Sequence, residues 1–300
     1  MKTLKFRIYL LALLSMLFWG MSFVWSKIVF EYYHPITTVF LRLLISSTIL
    51  YTVFKISGKL EVIHKSHIKL LILTAFFEPF LYFLGENFGL QLVEPTIASV
   101  IIATIPVFTS FFAYIILKEK LNKLNIIGLI LSFIGILVMV VDNKLNFLFS
   151  PKGIALLFLA VFAAVGYGIS LKKLAHIYSP FSIITYQNLI GLLLFLPLFF
   201  IFDFKHFLSV QPTVRLVGSL LQLSIFASSL AFICWVYVIR NLGVSKASIF
   251  TNLIPIITAI FSFFILNEML TINKIFGIII VLSGVTLSQV EKLFIKFNKK

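Results

Sequence analysis

"ASVIIATIPVFTSFFAYIILKEKLNKLNIIGLILSFIG", residues 98–135, returns 149 positions later as "ASIFTNLIPIITAIFSFFILNEMLTINKIFGIIIVLSG", residues 247–284, without a gap. About a dozen positions are identical, among them Pro106 with Pro255, Glu119 with Glu268, Gly128 with Gly277 and Gly135 with Gly284. Apolar chains match Leu to Ile by chance. They do not align Pro, Glu and two Gly in one register. A weaker match at a shift of 145 sets Lys27 on Lys172 and Pro35 on Pro180. The chain reads as two related units, residues 1–148 and 149–300.

Composition says what the units are made for. The 300 residues are 61% hydrophobic and 12% charged, with mean hydropathy +1.11. Soluble domains carry about 25% charged residues, so this is an integral membrane protein. The single cysteine, Cys234, excludes an internal disulfide or a Cys-rich metal site. No pair of His is spaced for zinc on a helix, and no Walker loop or nucleotide-binding glycine motif is present, so no cofactor is expected. A net charge of +15 would suggest nucleic acid in a soluble protein. Here the lysines and arginines crowd into short loops, where they report topology, and no nucleic-acid partner is expected.

Apolar runs long enough to span a bilayer, about 20 residues each, number ten: roughly 8–30, 36–54, 69–90, 96–117, 125–141, 152–171, 180–202, 214–239, 245–266 and 273–290. The first follows "MKTLKFR" and lacks a small-x-small cleavage pattern, so it reads as a retained helix. With the N-terminus inside, 18 Lys and Arg fall on the inner side and 6 on the outer. That bias predicts a multi-pass plasma-membrane (in a bacterium, inner-membrane) protein with both termini cytoplasmic. Each unit holds five spans, an odd number, so the second enters the membrane from the opposite face. The expected fold is all-α: ten transmembrane helices as two inverted five-helix repeats, an arrangement shared by many secondary transporters.

"FWGMSFVWSK" (18–27), followed by Pro35 and Arg42, and the paired motifs "IPVFTSFFAYIILKEKL" and "IPIITAIFSFFILNEML" with their trailing glycines carry a family likeness. The chain resembles the drug/metabolite transporter superfamily in its ten-helix EamA-type branch, over essentially its whole length. In the second unit Trp19-Gly20 falls on Ala164-Val165, and Arg42 on Gln187. The resemblance implies movement of small organic metabolites, often amino acids or their derivatives, coupled to an ion gradient, rather than enzyme activity. A nucleotide-sugar or S-adenosylmethionine carrier is the alternative within transport, and a membrane-embedded lipid-modifying enzyme is the alternative from another class.

The residues that carry chemistry are the polar ones in the spans. Glu78 lies about nine residues into the third span, roughly 13 Å deep at 1.5 Å per residue. A charge there costs on the order of 3 kcal/mol, so the carboxylate is protonated, paired or wet. It is expected to bind a proton or a substrate amine; the structural alternative is a hydrogen bond to the Ala75 carbonyl beside Pro79. Glu86 lies about 12 Å further along, with Tyr82 between, on nearly the same face. Arg42 is the expected partner of Glu86, as a fixed pair or as a gate. Pro106 and Pro255 cannot donate to the carbonyls of Ile102 and Thr251, and such matched helix breaks point to a binding site; Asn252 adjoins the second. Trp19, Ser22, Tyr167, Asn188 and Gln222 are further inward-facing candidates. Trp25 and Trp235 read as interfacial anchors. The Gly128/Gly135 and Gly277/Gly284 faces predict a close-packed brace or a dimer seam, leaving monomer and homodimer open. Glu119 and Glu268 are expected to bind loop amides or nearby lysines. The partners are thus a small-molecule substrate, protons and the lipid bilayer.

Overall fold

The computed structural model describes residues 2–117, 123–141, 147–242 and 247–294. Glu119 and several loop lysines, among them Lys118, Lys120, Lys144 and Lys246, lie outside the described residues. The described chain is helical, apart from an isolated bridge between Val141 and Phe147. Ten helices follow one another among the described residues: α1 Lys2–Phe30, α2 Pro35–Ile56, α3 Lys65–Leu92, α4 Pro95–Leu117, α5 Lys123–Val140, α6 Pro151–Leu174, α7 Pro180–Ser209, α8 Val214–Leu242, α9 Leu253–Leu266 and α10 Ile272–Phe294; nine are long and apolar enough to cross a membrane, and α9 is shorter.

Local chemistry sets the starts and stops. Pro35, Pro95, Pro151 and Pro180 each open a helix, at the position where the missing N–H costs nothing. Ser150, Ser179 and Thr213 accept backbone N–H bonds from Gly153, Ser182 and Leu216 at the starts of α6, α7 and α8. Asn267, at φ 56°, turns the chain out of α9, a left-handed geometry that Asn tolerates.

Four helices are broken or widened, and this is where they differ from uniform spans. In α3 the turn Phe76–Leu81 is π-like, and Glu78 takes an extended backbone, φ −146° and ψ 121°. In α4 the first segment ends at Ile102 and the next begins at Ile105, just before Pro106. In α7 a wide turn, Phe199–Asp203, carries the helix on to Ser209, beyond the predicted end. In α8 residues Leu223–Leu230 form a long π-like stretch. A 3₁₀ turn, Ser248–Asn252, precedes α9. Such widened turns recur at functional sites in helical proteins.

The helices pair as α5 with α10, α3 with α6, α2 with α7, α1 with α8 and α9, and α4 with α6. Replacing each helix by the one five places along returns the same set of pairs. The tightest is α5 with α10. A Cβ on Gly128 would lie 2.5 Å from the Gly284 carbonyl oxygen, and one on Gly135 would lie 2.8 Å from that of Gly277. The two glycine faces pack on each other inside one chain, which makes them the brace, rather than the dimer seam, of the two readings the sequence allowed. The outward faces of α5 and α10 show Ile126, Ile130, Ile134, Leu137, Ile275 and Ile279, a helical stripe suited to lipid tails.

Trp25 and Trp235 are corrected too. Trp25 is buried against Phe226, with ring centroids 6.2 Å apart, and Trp235 packs edge-on to Trp19 at 5.4 Å. Both indoles are core residues rather than interfacial anchors.

Candidate functional site

The wide turn of α8 faces α2, and so does the segment of α3 that follows its own wide turn, Tyr82–Leu92. On α2, Arg42 is 2% exposed. Its Nε donates to the Ser228 hydroxyl on α8, and its guanidinium lies over the Phe83 ring of α3, 4.3 Å from the centroid, a favourable cation–π contact. Asn188 of α7 completes the cradle: its Nδ2 donates to the Ser46 hydroxyl at 3.1 Å and to the Ser228 carbonyl at 3.2 Å. Three helices from two units thus hold one guanidinium.

On α3, Glu86 accepts the Tyr82 hydroxyl at 2.9 Å and an Asn87 Nδ2 bond at 3.4 Å. Arg42 is near enough to Glu86, Tyr82 and Glu78 to feel each of them electrostatically. The direct ion pair expected between Arg42 and Glu86 is not formed: among the described residues no carboxylate oxygen lies within 4.0 Å of Arg42. Serine and an aromatic face have taken the place of the carboxylate.

Glu78 is 7% exposed and Glu86 8%, so the group is closed to solvent. The Glu78 carboxylate makes no hydrogen bond to a described residue, and the expected bond to the Ala75 carbonyl is absent. Tyr167 of α6 lies close to Glu78 and beside Gln187. Its hydroxyl and the Gln187 Oε1 are buried without a regular hydrogen-bond partner among the described residues. Glu78, Tyr167 and Gln187 thus lie together as a buried polar group.

The other candidates divide. Trp19 is half-buried and meets Phe232 edge-on at 5.1 Å. The Ser22 hydroxyl donates to the Trp19 carbonyl at 2.7 Å and is satisfied within its own helix. Asn252 donates to the Thr286 hydroxyl at 2.9 Å, on α10 and away from Arg42's contacts. Gln222 is exposed, so its inward placement is corrected. Pro79 sits in the widened turn beside Glu78, Pro106 just after the break in α4, and Pro255 in the first turn of α9. Glu268 binds a lysine as expected, and a first-turn amide of α4 in place of a loop amide: Oε1 accepts Lys274 Nζ at 3.2 Å and Oε2 accepts the Thr96 N–H at 3.3 Å. Sequence reasoning missed Ser228 and Phe83 as Arg42's neighbours and Ser46 as a partner of Asn188. The polar pair of "FASSL" inside a span was the available signal for Ser228.

A bundle of membrane-length helices around a closed, charged, under-bonded centre defines a multi-pass membrane protein built to meet a polar solute. Comparison with known proteins gives the family. The description of the EamA-like transporter family matches twice, over residues 6–141 and 151–289. The chain belongs to that family and is a membrane transporter. An "Uncharacterized transporter" of Archaeoglobus fulgidus is 28% identical over 272 residues, covering 91% of this chain and 95% of its own. The "Uncharacterized transporter YoaV" of Bacillus subtilis is 28% identical over 275 residues, covering 90% and 92%. A chain of known crystal structure superposes with a TM-score of 0.68 at 14% identity, covering 94% of this chain and 97% of that one; that likeness speaks to the fold alone.

Proposed function

We propose that this protein is a secondary active transporter that exports a small organic metabolite of the amino-acid class across the plasma membrane. In this reading the units 1–148 and 149–300 are inverted repeats with both termini cytoplasmic. The double family match and the exchanged helix pairs support it. So does the lysine and arginine bias. The two units rock about the central group by alternating access.

One observation carries the substrate reading: a guanidinium and two carboxylates are buried together without a direct ion pair. Arg42 keeps donors beyond Nε for a carboxylate, since arginine's planar fork suits bidentate recognition. Glu78 keeps a carboxylate for an ammonium group or a proton. Tyr167 and Gln187 supply the remaining polar contacts. A carrier of nucleotides would gather several cations, and Arg42 is the lone cation of this central group. Proton antiport follows if Glu78 exchanges a proton for the substrate amine within each cycle.

The test has two stages. Comparing the medium of cells with and without the protein identifies the exported compound. Transport of that compound by Glu78→Gln in proteoliposomes then reads the coupling. The variant is expected to lose transport driven by a pH gradient while keeping substrate-for-substrate exchange. Unchanged pH dependence in Glu78→Gln sinks the coupling role.

A further inference from the structure

Away from the central group, a second ionic cluster ties the two units together. Lys274, in the first turn of α10, is 4% exposed. Its Nζ lies 2.5 Å from Glu94 Oε2 and 3.2 Å from Glu268 Oε1, and it donates to the Met269 carbonyl at 2.7 Å. Glu268 turns its other oxygen to the Thr96 N–H at 3.3 Å. Glu94 and Thr96 belong to the α3–α4 corner of the first unit, and Glu268 and Lys274 to the α9–α10 corner of the second. A lysine at a helix start opposes the helix dipole, and nothing in the packing of α10 asks for it there. Its three oxygen partners account for its place.

The cluster stands at the foot of a cleft. About 610 Å³ of space is lined by Lys27, Glu31, Gln91, Phe149, Glu94 and Glu268, among others. Glu94 and Glu268 are shared between the cleft wall and the ionic cluster. Deeper in the bundle, α1 and α9 close on each other: the Thr258 hydroxyl, fully buried, donates to the Gly20 carbonyl at 3.0 Å. The cleft is therefore walled in part by an ionic cluster that spans both units.

The repeat does not copy the lysine. A shift of 149 sets Glu268 on Glu119 and Lys274 on Asn125. Asn125 is uncharged, and its Nδ2 donates to the Ser288 carbonyl at 2.7 Å.

We propose that Glu94, Lys274 and Glu268 form an ionic latch that seals the α3–α4/α9–α10 mouth of the pathway and must part before that mouth opens. The inference rests on the alternating-access reading above. Buried charges with three partners hold a closed state firmly and release it only when those partners move apart together. The cleft above the latch gives water a place to receive the separated charges.

The experiment measures opening directly and needs no substrate. Cys234, the chain's single cysteine, is replaced by Ser, and Thr258→Cys provides a buried reporter between α1 and α9. Labelling by a membrane-impermeant sulfonated thiol reagent is timed in right-side-out and in inside-out vesicles. Glu94→Gln, at a side chain 38% exposed and so safe for folding, is expected to label at least fivefold faster from the latch side. Lys274→Gln is expected to label faster still. Glu31→Gln serves as the control, because Glu31 lines the same cleft and pairs with Arg215 at 3.3 Å rather than with the latch; its rate should change less than twofold. Labelling from both sides that Glu94→Gln leaves unaltered overturns the latch and spares alternating access. A reporter that labels from neither side in any variant overturns alternating access itself.

Discussion

Asp203 reaches across 166 positions of sequence to Thr37, accepting its backbone N–H at 3.0 Å and its hydroxyl at 2.8 Å on the same oxygen. The other carboxylate oxygen lies 3.2 Å from His34 Nδ1. Asp203 thereby caps α2, whose own N-cap residue, His34, makes no capping bond with its side chain. It does so from the wide turn of α7, so the irregularity of one unit completes the helix start of the other. A carboxylate at a helix N-terminus gains from the dipole as well as from the hydrogen bonds. Asp203→Ala leaves two fully buried donors unmet and is expected to cost on the order of 3 kcal/mol. Asp203→Asn keeps one acceptor oxygen and should cost about half as much. Thermal unfolding in detergent reads both, and equal midpoints for the two variants would show that the hydrogen bonds are not what Asp203 contributes.

The glycine contact between α5 and α10 predicts a sharp positional contrast. A Cβ at Gly135 would lie 2.6 Å from Val281 Cγ2 and 2.8 Å from the Gly277 carbonyl. Backbone cannot step aside, so Gly135→Ala or Gly128→Ala forces the helices apart and should cost about 1–3 kcal/mol. Gly168, in α6, has nothing within 4 Å of a built Cβ. Gly168→Ala should be neutral or stabilising by about 0.5–1 kcal/mol, because alanine is the better helix former. The same melting assay compares the three, and a Gly168 variant as damaging as the Gly135 variant contradicts the packing argument.

The loop between α2 and α3 carries a pH-dependent tether. Glu61 Oε2 accepts the Ser179 N–H at 2.6 Å, and the Glu61 N–H donates to the Ser182 hydroxyl at 2.8 Å. Burial pushes the Glu61 carboxyl up, but the bonds from Ser179 and Ser182 and the charge of Arg240 outweigh it, leaving it below its usual 4.5. A carboxyl held lower in the folded protein stabilises fully above the unfolded value. That contribution fades as pH falls through the folded value. The loop should therefore stay docked at neutral pH and loosen below about pH 4.5, seen as faster proteolysis at Lys59 and Lys65. Glu61→Gln should be equally susceptible at pH 7 and pH 4, and a wild-type-like pH profile in that variant removes Glu61 as the cause.

What sequence shows and hides here follows from one physical distinction. The repeat, the spans and the polar residues inside them depend on composition and register, which a linear chain displays. Arg42, Glu78, Tyr82, Glu86, Tyr167 and Asn188 stand out because lipid penalises them. Which face each one takes depends on unbroken helical phase. The wide turn at Leu223–Leu230 adds a residue to the turn, so a face read at constant pitch along α8 loses register there. Ser228 turns inward to Arg42 and Gln222 turns out. Trp25 misled for a related reason: its depth matched an interface, but the neighbour that covers it, Phe226, belongs to the other unit.

Arg42 separates a structural from a functional demand. A buried charge is kept for stability only when a close partner repays its lost hydration. Arg42 has Ser228 and the Phe83 face, with no carboxylate within 4.0 Å among the described residues. Arg42→Met keeps the stem's volume and its contact with Phe83 while removing the charge. Breaking a true buried pair would cost about 3–5 kcal/mol. Without such a close pair the loss is expected to be smaller, about 1–3 kcal/mol for the unmet Ser228 hydroxyl and the weakened field on Glu78 and Glu86. Its transport of the exported compound should fall at least a hundredfold, because the substrate's anionic group loses its receptor. Arg42→Lys should recover little, since an ammonium cannot donate to Ser228 and present a planar fork to the ligand together. A hundredfold loss of transport beside so small a loss of stability is expected only if the charge is held for cargo. A variant that unfolds readily would instead make Arg42 a strut between α2 and α8.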